Sequence, residues 1–187
     1  MDIQILKAQQ VDFENRKTAL LEIFDKFSNA FIKAIQEFVD KALAENINSV
    51  KGMNTSPKAT GYRLYECKLN HLNVTLVVSN YVHKRDKHNL SSKIFVYISS
   101  SKDSSPFVEI EVYGDETGRY SYNIYQFPEN ERSTYDTGTS ATEEDGKRAA
   151  ESLINFFYNI TFIWADRPKL GDVINNNGNV LGFQVHK

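Results

Sequence analysis

Phe107-Val108-Glu109-Ile110-Glu111-Val112-Tyr113-Gly114-Asp115-Glu116-Thr117-Gly118-Arg119-Tyr120-Ser121-Tyr122-Asn123-Ile124-Tyr125-Gln126-Phe127, read as two strands over Phe107–Tyr113 and Arg119–Phe127, is the stretch that decides the fold. Val108, Ile110 and Val112 alternate with Glu109, Glu111 and Tyr113, and Tyr120, Tyr122 and Ile124 alternate with Ser121, Asn123 and Tyr125. A period of two with one apolar and one polar set describes strands with one face buried and one wet. Between them Gly114 to Gly118 supplies residues that tolerate positive φ, so the two strands should form a hairpin.

Working upstream, Tyr62–Leu69, Leu72–Val82 and Lys93–Ser99 are equally rich in β-branched and aromatic residues and are parted by Asn, Ser and Asp clusters. Five strands follow, with connections too short for helical crossovers, so the sheet is expected to be an antiparallel meander. Ahead of it Leu20, Phe24, Phe27, Phe31, Ala34, Phe38 and Ala42 recur in steps of four and three, widened by Ile23, Ile32, Ile35 and Val39. That is a long amphipathic helix. Ile3, Leu6 and Phe13 continue its phase, but Gln10 and Lys17 occupy two stripe positions, which allows for a kink or a separate short helix. The helical pattern dissolves after Glu45, and Gly52 to Gly61, with Pro57, reads as a loop.

Downstream, Glu129 to Gly138 reads as a polar loop and Ser140-Ala141-Thr142-Glu143 as a capping box opening a second helix. Its apolar face is Ala149, Ala150, Leu153, Ile154, Phe156, Phe157, Ile160 and Trp164, although Ile160 to Trp164 would also suit a strand. Val173-Ile174, a turn ending at Gly178 and Val180 to Val185 read as a short tail hairpin or an added strand. The expected class is α+β: a long N-terminal helix, a five-stranded antiparallel meander, a C-terminal helix and the tail hairpin, in two layers with helix on sheet. Residues 1–50 are the helix and 51–187 the α+β core, together one domain.

Composition sets the outer bounds. Leu, Ile, Val and Phe make up 51 of 187 residues, enough to bury a core. The longest uncharged apolar run, Leu153–Ala165, is too short to span a bilayer, and the opening Met-Asp-Ile-Gln-Ile-Leu-Lys does not resemble a secretory signal, so no membrane contact and a cytoplasmic location are expected. The single cysteine, Cys67, sits in an alternating strand and reads as a small buried apolar residue. The four Asn-x-Ser/Thr sequons then carry no consequence. His71, His83 and His88 lack a metal-ligand spacing; no metal and no cofactor are expected. Phosphate loops, nucleophile elbows and zinc-protease motifs do not occur, and no residue stands out as an acid, base or nucleophile, so a non-enzymatic role is expected.

The net charge of −2 conceals segregation. Residues 51–93 carry eight basic against two acidic side chains, and residues 103–145 carry eleven acidic against two basic. An acidic surface of Glu109, Glu111, Asp115, Glu116, Glu129 and Glu131 would address a basic or nucleic-acid-handling protein, in the manner of an inhibitor or adaptor, without binding nucleic acid directly. The plainer alternative is that neighbouring strands pair these charges, early Lys and Arg against Glu109 and Glu111. A second function would place a small anionic ligand or nucleotide at the basic turn, using Lys84, Arg85 and Lys87 with Tyr81 stacking beside them. Finally, the helix is longer than its sheet. Phe24, Phe27, Phe31 and Phe38 would then serve a homodimer, or else the same side chains fill the chain's own core.

Overall fold

A computed structural model describes residues 3–59, 61–86, 89–98, 106–126 and 133–165. In chain order the elements are α1 (Ile3–Ala44), β1 (Lys51–Ala59), β2 (Tyr62–Leu69), β3 (Leu72–Ser79), β4 (His83–Lys84), β5 (Leu90–Ile98), β6 (Val108–Gly114), β7 (Tyr120–Gln126), β8 (Ser133–Gly138) and α2 (Glu143–Ala165). The α+β class and the antiparallel sheet match expectation. The strand number does not: the described residues form an eight-stranded sheet in the order β1-β2-β3-β5-β6-β7-β8, with β4 paired to the start of β5. β1 lies where the sequence reads as a loop, β8 where it reads as a polar loop, and β4 follows β3 as a separate two-residue strand. Both overlooked outer strands are sheet edges, where pairing on one side only tolerates Gly52, Pro57 and polar runs that a central strand would reject.

Turn chemistry sets the register. Asn70 and His71 adopt φ of 49° and 67° between Leu69 and its partner Leu72, as a two-residue hairpin of the primed type requires. Asn70 also donates through Nδ2 to the Phe157 carbonyl at 2.9 Å, tying this hairpin to α2. At the end of α1, Ile47 N donates to the Ala42 carbonyl and Asn46 N to that of Leu43, with Asn46 at φ 59°. Those paired bonds and the left-handed residue form a Schellman cap, which stops the helix without glycine.

The helices share one face of the sheet. One cross-strand rung on that face runs Arg63, Val78, Ile94, Ile110, Ile124 and Asp136, its four central residues buried beneath α1 and α2. Into this layer α1 inserts Leu20, Phe24, Phe27, Phe31, Ile35 and Val39, and α2 inserts Ala149, Ala150, Leu153 and Phe157. Of the two readings of the phenylalanine stripe, the chain's own core is the one that Phe24, Phe27 and Phe31 fit. Phe24, Phe27 and Phe31 are fully buried in the chain's own core, and Phe38 is half-buried with its ring edge-on to Tyr158 at 5.7 Å.

α2 runs parallel to α1: Gly146 meets the Phe27 backbone and Ala30, and Tyr158 meets Phe38. A Cβ at Gly146 would collide with the Phe27 carbonyl oxygen, so the close helix approach depends on glycine here. The cap of α2 sits two residues later than Ser140–Glu143. Thr142 Oγ1 accepts from Asp145 N at 3.2 Å, and Asp145 Oδ2 accepts from Thr142 N at 2.9 Å, a reciprocal box that also engages Ser140 Oγ at 2.6 Å. Residues 160–165 are helical, not strand. The tail hairpin falls outside the described residues.

α1 is also unbroken through Gln10 and Lys17. Its 42 residues rise roughly 63 Å at 1.5 Å each, against about 27 Å for an eight-residue strand. Every residue from Ile3 to Asn15 is exposed, and burial begins in earnest at Leu20. The first half of α1 thus projects from the body of the molecule.

Candidate functional site

Two places gather the residues that the sequence singles out. One is the sheet face away from the helices; the other is the projecting half of α1.

On the helix-free face, pairing across β5, β6, β7 and β8 puts Lys93, Glu111, Asn123 and Thr137 in one rung. The next rung on that face runs Leu64, Val77, Phe95, Glu109, Tyr125 and Thr134. Lys93 Nζ lies 3.0 Å from Glu109 Oε1 and 3.8 Å from Glu111 Oε1. Arg85, brought in just after β4, places Nε 3.4 Å from Glu111 Oε2 and its guanidinium carbon 3.6 Å above the Tyr113 ring. Tyr125 donates to Glu111 Oε2 at 3.3 Å and accepts from Asn123 Nδ2 at 2.6 Å, while Thr137 donates to Asn123 Oδ1 at 2.8 Å. Glu109 is 6% exposed and Glu111 2%. Two buried carboxylates are capped by two half-buried cations, so that charge is balanced and hydrogen bonds are shared, as burial of the carboxylates demands. His83, 3.5 Å from Ser79 Oγ, borders it; burial pulls its pKa below the ordinary value, aided by Lys93 and opposed by Glu109 and Glu111.

The acidic surface is thereby corrected in part. Glu109 and Glu111 are inside the cluster because opposite charges on adjacent strands pair more favourably than they face water alone. Asp115 is engaged by its own turn: Oδ1 accepts from Thr117 N, Thr117 Oγ1 and Arg119 N at 2.8, 2.7 and 3.0 Å. The Thr117 hydroxyl bond above all holds this carboxyl below its usual range. Glu116 is exposed at the hairpin tip, and Glu129 and Glu131 lie outside the described residues.

The basic turn divides as well. Lys84 is exposed on β4 and Tyr81 is 47% exposed, its ring edge-on to Tyr62 at 5.5 Å. Arg85 is tied to Glu111 and Tyr113, and Lys87 lies outside the described residues. His71 and His83 stand at opposite ends of β3, and His88 is not described. Cys67 is buried, and desolvation pushes its thiol up to about 12, which leaves it a poor nucleophile at neutral pH.

Among the described residues, no group of three or more His, Cys, Asp or Glu side chains could hold a metal ion, and no helix is long and apolar enough to cross a membrane. No protein-family model, curated protein or solved structure matches the chain. Geometry alone therefore ranks the two places.

In the projecting half of α1, Ile3, Leu6 and Phe13 are 67%, 44% and 44% exposed. They lie on the same helical arc as Leu20, Phe24, Phe27 and Phe31, which are sealed under the sheet and α2. Around them stand charges of both signs: Lys7, Asp12, Glu14, Arg16 and Lys17, with Lys17 Nζ 3.2 Å from Glu14 Oε2. The larger phenylalanines drew the sequence reading to the later turns of α1, whereas the exposed members of the stripe lie in its first turns. The sequence signal that separates the halves is that Gln10 and Lys17 interrupt the stripe at positions a packed core would not accept.

Proposed function

We propose that the chain is a non-enzymatic protein-binding module, an adaptor or inhibitor in type, whose contact surface is the projecting half of α1. The observation that supports this reading is the exposure of Ile3, Leu6 and Phe13, which extend the apolar arc of α1, broken at Gln10 and Lys17, past the body of the domain without cover from any described residue. An isolated helix of about 17 residues is marginal in water, and apolar stripes of this kind ordinarily mark interaction sites. Charges of both signs beside the stripe favour a protein partner over an anionic lipid surface, which would select a basic face.

Contact with a basic partner through the acidic residues has less support, since Glu109, Glu111 and Asp115 are engaged within the fold. The anionic-ligand reading is weaker for the same reason: Arg85, its central cation, is already paired.

A Leu6→Glu/Phe13→Glu double variant tests the reading. The expected result is an unchanged melting temperature for the body with loss of protein binding, whether to a second copy or to another protein retained on immobilised wild type. Binding that persists undiminished in the double variant would overturn it.

A further inference from the structure

The partner that the projecting helix fits best is a second copy of the chain, and we infer that two copies pair through residues 3–19 as antiparallel helices about a two-fold axis near Gln10. This rests on the reading of that half as a contact surface. The direction follows from sterics. Ile3, Leu6 and Phe13 share the arc that, from Leu20 onward, faces the chain's own sheet and α2. A partner helix laid parallel on the stripe would run into the volume those elements occupy. Laid antiparallel, it leads its own body away beyond Ile3, so the two bodies sit at opposite ends of a two-helix bridge about 25 Å long at 1.5 Å per residue.

Charge and polarity agree with this direction. About an axis near residue 10, Lys7 of one copy faces Glu14 of the other, and the pair occurs twice by symmetry. Glu14 then lies between Lys17 on its own helix, 3.2 Å away, and Lys7 across the axis. Gln10 meets its own counterpart, where two amides can exchange hydrogen bonds; a polar residue at the centre of a helical seam commonly fixes register. In a parallel pair Lys7 would face no acid in the same way, and Lys17 would confront Lys17.

Molar mass by light scattering across a dilution series, combined with single-cysteine cross-linking, tests this. Wild type, whose only cysteine is the buried Cys67, serves as the control. At micromolar concentration the expected mass is twice the 21.4 kDa of one chain, falling towards one chain on dilution and in Leu6→Glu/Phe13→Glu. Gln10→Cys should oxidise to a covalent dimer. Ile3→Cys should not link to itself but should link to Lys17→Cys when the two are mixed. Self-linking of Ile3→Cys as efficient as that of Gln10→Cys would mean parallel pairing and would overturn the inference. A monomer at every concentration would also overturn it, and the binding-module reading would still stand if the double variant loses another protein partner. A dimer indifferent to the double variant would overturn both.

Discussion

The two halves of α1 carry one stripe and meet opposite fates. From Leu20 to Ala42 the stripe is sealed by the sheet and by α2; from Ile3 to Asn15 it faces outward. Helical periodicity determines which side chains share a face, and it is the same in both halves. Cover is a tertiary property: it reaches N-terminally as far as Leu20, α2 starts beside the turn around Phe27, and Arg63, at the start of β2, grips α1. Arg63 Nη1 donates to Asn29 Oδ1 at 2.6 Å and lies 3.2 Å from Asp25 Oδ1, and Nη2 donates to Ser28 Oγ at 2.8 Å. An amphipathic stripe is thus core in one half and exposed in the other, with no change of sequence character beyond Gln10 and Lys17.

The sharpest way to break this contrast is to truncate one phenylalanine in each half. Phe27→Ala should cost about 3–5 kcal/mol in chemical denaturation, because it opens a cavity in a fully packed layer. Phe13→Ala, measured on dilute protein, should stay within about 0.5 kcal/mol, as surface changes usually do. Equal costs would mean that Phe13 also has cover. Next in size, Gly146→Ala places a methyl against the Phe27 backbone and should cost about 1–3 kcal/mol through forced separation of the helices. The same substitution in a self-association assay should leave the projecting half unaffected.

Smaller is the effect of the α2 cap, which holds the helix that supplies the cover. Thr142→Ala should cost about 1 kcal/mol in thermal denaturation. Burial alone would raise the Asp145 carboxyl, but hydrogen bonds from Ser140 and Thr142 and the nearby Arg148 outweigh it and hold the carboxyl below its ordinary value. With the folded pKa below the unfolded one, this contribution is complete above the ordinary carboxylate range and is lost as pH falls through the lower folded value. Melting temperature should therefore fall with acid in wild type, and less steeply in Asp145→Asn. An identical acid slope in the two proteins would remove Asp145 from the account.

How far the fold could be read from sequence follows from where each element sits. The hairpin from Val108 to Gln126 was legible because it lies inside the sheet, with one face in the core and turn residues at its tip. β1 and β8 were not, since edge strands are defined by a neighbour's free hydrogen-bonding groups more than by their own side chains. The site was less legible. Alternation showed that Glu109 and Glu111 share a face, but not that Lys93 and Arg85 would close over them, because Arg85 arrives from a turn whose path depends on β4 pairing with β5. Likewise the stripe of α1 was visible throughout, while the residue at which its cover stops depended on α2, more than a hundred positions away.

Hydrogen exchange along α1, followed from dilute to concentrated protein, tests the central claim most directly. The account predicts that amides from Leu20 to Ala42 are protected at every concentration, while those from Ile3 to Asn15 exchange freely in dilute solution and gain protection as the protein is concentrated. Protection of Ile3 to Asn15 in dilute, monomeric protein, or free exchange there at the highest concentration, would contradict it.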